Sequence, residues 1–132
     1  MGCRRGVASI EFAITASAAL LLCLGTIDIG VLLWTRNALQ LAATQAARCA
    51  AIAGSACAGG TKPYAATLAQ QWLFPSAVQS ANVTVTTGAT CSATAGHYVV
   101  VSITTSYFTT LKLPGPLGGR TISAQACYPS AL

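Results

Sequence analysis

GVASIEFAITASAALLLCLGTIDIGVLLW, residues 6–34, decides the architecture of this chain. The stretch carries one acid at Glu11, then runs apolar from Phe12 to Trp34 with a single further charge, Asp28. A bilayer core is crossed by about 20 apolar residues at roughly 1.5 Å rise each, and residues 12–34 meet that length. Trp34 closes the run where an amphipathic ring belongs, at the level of the lipid headgroups. The pattern predicts a transmembrane helix over 7–34, a six-residue tag ahead of it (MGCRRG) and a small exported domain after it.

The tag departs from an ordinary secretory signal, which places a small-residue cleavage site beyond a short apolar core. Arg4 and Arg5 supply the basic region, but the apolar run is longer and no A-x-A site follows it closely. A myristoylation signal would need Ser or Thr at position 6, where Gly6 stands. A lipoprotein cysteine would need an apolar segment before Cys3, and an uncleaved signal anchor would account for neither Gly6 nor Glu11. The junction RRG|VASIEF instead resembles the site read by prepilin peptidases, which cut after the glycine and leave the helix attached. That resemblance makes Gly6 and Val7 the processing site, Val7 the first mature residue and Glu11 the fifth.

Further along, LGTIDIGVLLWTRNALQLAATQAARCAAIAG resembles the TadE-like family of pilin-related proteins from tight-adherence (Tad) pilus systems. Such chains pair a glutamate early in the helix with an acid–x–glycine late in it, followed by an aromatic, a basic residue and an Ala-rich continuation. Asp28, Gly30, Trp34, Arg36 and residues 37–53 occupy those places. Many relatives carry Arg directly after the late glycine; Val31 stands here, so no role for that Arg is carried over. The resemblance covers about the first 53 residues. It implies a minor pilin or pseudopilin: a structural subunit of a Tad-type adhesion pilus, cut by prepilin peptidase and partnered by other pilin subunits and inner-membrane lipid. Glu11 and Asp28 are the implied assembly residues. Glu11 is placed either to pair with the new amine of Val7 in its own helix or to neutralise that of a neighbouring subunit.

Charge and cysteine usage fit an exported domain. The chain has seven basic and two acidic residues, and no acid from Thr35 onward. Losing Arg4 and Arg5 with the leader takes the formal charge from +5 to +3. The same two arginines favour a cytoplasmic amino terminus, which puts the carboxy-terminal domain in the periplasm of a single-pass inner-membrane protein, or outside the cell on a pilus. Cys23 lies within the apolar run. Cys49, Cys57, Cys91 and Cys127 form an even set that reads as two disulfides in an oxidising compartment. Three connectivities are open; one closes a short Cys49–Cys57 loop and ties the strand region through Cys91–Cys127. A metal site is the rival, but tight C-x-x-C spacing is missing and His97 is the single histidine.

Taken in order, the domains expected are the leader at 1–6, the span at 7–34, a helical continuation at 35–53 and a small disulfide-linked α+β domain at 54–132. Ser9, Ala13 and Ser17 form a small-residue stripe of the kind that lets helices approach closely in lipid. In the continuation, Asn37, Gln40, Thr44 and Arg48 take one face while Leu39, Ala42, Ala43, Ala46 and Ala50 take another, with Gly54 as the stop. A second helix starts near Pro63 and ends at Pro75, with Tyr64, Leu68 and Trp72 as its core stripe. Residues 82–87, 97–108 and 120–128 read as three antiparallel strands, separated by 88–96 and 113–119. Asn82-Val83-Thr84 is formally a glycosylation sequon, read here as a strand start.

The exported part offers little for catalysis. General acid–base work needs a positioned His or carboxylate, and a Ser–His pair using His97 would lack a carboxylate to orient it. No phosphate loop or metal spacing is present, and no cofactor is implied. The alternative to a pilin subunit is a membrane-anchored module in which Arg48, Lys62, Lys112 and Arg120 meet an acidic polymer such as DNA or polysaccharide. Those four are scattered with little aromatic interleaving, so no specific nucleic-acid site is expected.

Overall fold

The computed structural model describes residues 5–73, 78–91, 94–107 and 120–130. Five elements follow in order: α1 (Arg5–Ala51), α2 (Thr61–Trp72), β1 (Val83–Cys91), β2 (Thr94–Tyr107) and β3 (Arg120–Pro129). The fold is α+β, with a long amino-terminal apolar helix, a short second helix and one antiparallel sheet in the order β1-β2-β3. Two compact units divide the chain, Met1–Leu32 and Leu33–Leu132.

In the first unit the apolar side chains face outward on every side; Phe12 is 73% exposed and Leu22 71%. A helix apolar all round is suited to lipid rather than water. Three of its hydroxyls are satisfied within the helix. Thr15 Oγ1 donates to the Glu11 carbonyl at 2.9 Å, Ser17 Oγ to that of Ile14 at 2.9 Å, and Thr26 Oγ1 to that of Cys23 at 2.8 Å. Such internal pairing meets the demand of a medium that offers no partners.

The second unit is built on the Ala-rich part of α1. Leu39, Ala42, Ala43 and Ala46 are buried, while Asn37, Gln40, Thr44 and Arg48 are exposed, as the periodicity predicts; Ala47 is buried as well and Ala50 is half-buried. The buried face joins Val83, Val99, Val101, Ile103, Ala124 and Ala126 from the sheet and Ala65 and Ala69 from α2 in one core. Cross-strand register places Val85 opposite Val101 and Val101 opposite Ala126, so one sheet face collects the apolar residues at period two. Gln40 Nε2 donates to the Gln125 carbonyl at 2.9 Å, and Gln70 Nε2 to that of Val78 at 2.7 Å.

Several boundaries differ from the sequence-based expectations. In α2 the buried residues are Ala65, Ala66 and Ala69; Tyr64 and Leu68 are half-buried and Trp72 is exposed. Small side chains let the helix approach the core, which leaves the large ones at its margin. Pro75 lies outside the described residues. Residues 88–96 are largely strand rather than loop. Register shifts at Thr87/Ala89 and Ala89/Cys91 carry β1 past Gly88, whose φ of +73° suits a residue without Cβ. Asn82 closes a 3-10 turn before β1, and its side-chain oxygen accepts the Gln79 backbone N–H at 3.1 Å.

The end of α1 also differs. The Gly54 N–H bonds the Cys49 carbonyl at 3.0 Å, and the left-handed residue before it is Ala53, with φ +49°. This six-to-one closure is the Schellman pattern, which normally places Gly at the left-handed position. Ala53→Gly is expected to raise stability by about 1 kcal/mol by relieving the Cβ contact of that conformation. The denaturant midpoint of the oxidised full chain in detergent checks this; an unchanged or lower midpoint contradicts it.

Candidate functional site

The groups available for assembly lie along α1. Its described backbone is helical from Arg5, so the Gly6–Val7 bond falls in the first turn. Glu11 follows Val7 by four residues, one helical turn, and is exposed. Asp28 is half-buried. Seventeen residues separate the two acids along one helix, about 26 Å of rise and roughly 100° around the axis. They therefore face different directions, and one neighbouring helix cannot engage both along a single straight seam. Ser9, Ala13 and Ser17 are all exposed on the outer surface of the helix.

Trp34, at the end of the apolar run, has a partner that periodicity did not reveal. Its ring meets that of Trp72 edge-on, with centroids 6.3 Å apart and planes at 61°. The Trp34 indole N–H donates to the Trp72 carbonyl at 3.2 Å, satisfying a carbonyl that the end of α2 leaves open. Both rings remain about half exposed, and with Asn37, Ala38 and Leu41 they line an apolar cleft of about 160 Å³. The sequence signal was present in the two tryptophans themselves, but only the packing of α2 brings residues 38 apart together.

The four exported cysteines form two bridges. Cys49–Cys57 ties the last turn of α1 to a 3-10 turn at Ser55–Cys57, with Cα atoms 6.2 Å apart. Cys91–Cys127 joins the end of β1 to β3, with Cα atoms 6.1 Å apart. Cys127 is paired in register with Val100, so its side chain shares the face of β2 opposite Val99 and Val101. Val100 is only 8% exposed although it lies on the face of β2 opposite Val99 and Val101. Cys23 is a free, exposed thiol.

The basic residues expected to meet an acidic polymer stand on different elements. Arg48 stands in the last turn of α1, Lys62 in the first turn of α2 and Arg120 at the start of β3. Lys112 lies outside the described residues. Among the described residues, no three of His, Cys, Asp and Glu come together as metal ligands. His97 is exposed, and its carbonyl accepts the Ser130 N–H and hydroxyl at 2.9 and 3.0 Å.

An early glutamate, an exposed apolar helix and an Ala-rich continuation are thus carried on one element, and that element agrees with a known family model, described as TadE-like protein. The match covers residues 6–48. No curated protein and no solved structure gives a significant match. The TadE-like segment begins at Gly6, takes in Glu11, Asp28 and Trp34, and stops one residue before Cys49. It is about a third of the chain; α2, the sheet and all four bridged cysteines lie beyond it. The TadE-like match relates the chain to Tad pilus proteins, a structural rather than catalytic class. The one helix among the described residues that is long and apolar enough to cross a membrane fits a single-pass anchor.

Proposed function

We propose that the protein is a minor pilin or pseudopilin, a structural subunit in the assembly of a Tad-type adhesion pilus. Prepilin peptidase removes residues 1–6. Residues 7–34 span the inner membrane with the amino terminus cytoplasmic. Residues 35–53 extend the helix, and residues 54–132 form the disulfide-linked periplasmic domain that accompanies the subunit into or onto the pilus. Glu11 and Asp28 meet other pilin subunits within the membrane or the fibre. The observation that carries this proposal is the TadE-like match that begins at Gly6, has Glu11 five residues on and takes in the exposed apolar stretch of α1.

Mass spectrometry of the mature protein tests it. In a strain with active prepilin peptidase the amino terminus should be Val7, and Gly6→Leu should leave a chain heavier by the leader. A wild-type chain that still begins at Met1 under those conditions overturns the processing step.

A further inference from the structure

We propose that Trp34 and Trp72 together form a seat for the lipid surface, so that the exported domain binds the bilayer through α2 as well as through its anchor. The proposal rests on residues 12–34 being the membrane span. Trp34 ends that run, and Trp72 lies against it in the same compact unit. Trp72 is 52% exposed at the last position of α2, whose buried residues are Ala65, Ala66 and Ala69.

Three observations favour a lipid surface over another protein. The exposed rings are both tryptophan, the residue suited to the boundary between acyl chains and headgroups. Exposed apolar residues of the same unit flank the patch, Leu33 before Trp34 and Leu41 after it. Charge is also complementary: Arg36 is exposed two residues from Trp34, and no carboxylate side chain follows Asp28 to repel anionic phosphates. The Trp34 N–H is already satisfied by the Trp72 carbonyl, which fixes that ring with its remaining edge outward.

The chain contains only these two tryptophans, so each can be made the sole indole fluorophore. Full-length Trp34→Phe and Trp72→Phe are reconstituted in phosphatidylethanolamine–phosphatidylglycerol vesicles. The lipids are brominated either close to the glycerol backbone or near the chain ends. In W34F, Trp72 emission should shift to shorter wavelength than in detergent-free denaturant. It should also be quenched more strongly by the shallow bromines than by the deep ones, and resist aqueous iodide. If Trp72 is open to iodide and insensitive to bromolipid while Trp34 in W72F is quenched, the seat is wrong and the span stands. If neither is quenched by lipid, the span fails and the seat with it. Protection of Trp72 that grows with protein-to-lipid ratio without bromolipid quenching assigns the patch to a second copy and overturns the proposal. Should W34F lose its native disulfides, the wild type decides. Two seated rings leave nearly all emission protected from iodide, whereas a single seated ring leaves about half, which contradicts the seat.

Discussion

Glu11→Gln is expected to leave the chain inserted and cleaved while reducing its recovery with other pilin subunits by at least about tenfold, a difference of 1.4 kcal/mol. The substitution keeps size and removes charge. After cleavage a cationic amine would sit at Val7, at the positive end of the helix dipole, where a cation is disfavoured and a carboxylate favoured. In a medium of low dielectric an uncompensated charge costs several kcal/mol, and removing one partner of a desolvated pair typically costs about 3–5 kcal/mol. Before assembly Glu11 can meet the amine of its own helix one turn away; in a bundle it can meet that of a neighbour and reward one axial register. Glutamine supplies neither. Copurification and pilus counts at equal protein level are the measurements. Wild-type assembly by the Gln variant would show that the charge has no part in it, and rescue by Glu11→Asp would separate charge from reach.

Loss of the Cys91–Cys127 bridge should destabilise the exported domain more than loss of Cys49–Cys57. Sequence separations of 36 and 8 residues translate, in the chain-entropy account, to about 4 and about 2.5 kcal/mol respectively. Two further effects enlarge the difference. The longer bridge holds the bulged end of β1, where the pairing register is irregular. The shorter one reinforces a helix end that is already closed by the Gly54 N–H to the Cys49 carbonyl. Paired Cys→Ser variants compared by denaturant midpoint, with detergent and temperature fixed, check the order. A larger loss for Cys49→Ser/Cys57→Ser would show that loop length is not what governs these bridges.

Much of this architecture is legible in the residues because two strong periodicities carry it. Residues 12–34 have no polar face, and 37–50 have a clean one, so α1 reads as apolar on all sides and then amphipathic. The alternation of Val83, Val85, Val99, Val101 and Ile103 likewise marks the strands. Volume, rather than hydrophobicity, governed what was missed. In α2 the alanines go inward because a close helix–core approach excludes Trp72, and a hydropathy stripe weights Trp above Ala. Gly88 reads as a turn because glycine serves turns and bulges alike, and only pairing to β2 distinguishes them. Ala53 takes the left-handed position that Gly54 was expected to mark, since the closing hydrogen bond is set by helix length rather than by the nearest glycine. The four cysteines were legible as a set, and the pairs formed, Cys49–Cys57 and Cys91–Cys127, are one of the three connectivities that the sequence left open. The acids were legible as residues out of place in an apolar run.

Because the second bridge joins β1 to β3 across β2, it also sets a mechanical limit. A load applied along the chain past Cys127 passes through sulfur to Cys91 and bypasses the hairpin between them. Those 36 residues, roughly 120 Å of contour at about 3.4 Å each, are withheld from extension until a covalent bond is reduced. A pull on the chain would therefore lengthen the segments outside the loop while the strands within it stayed folded.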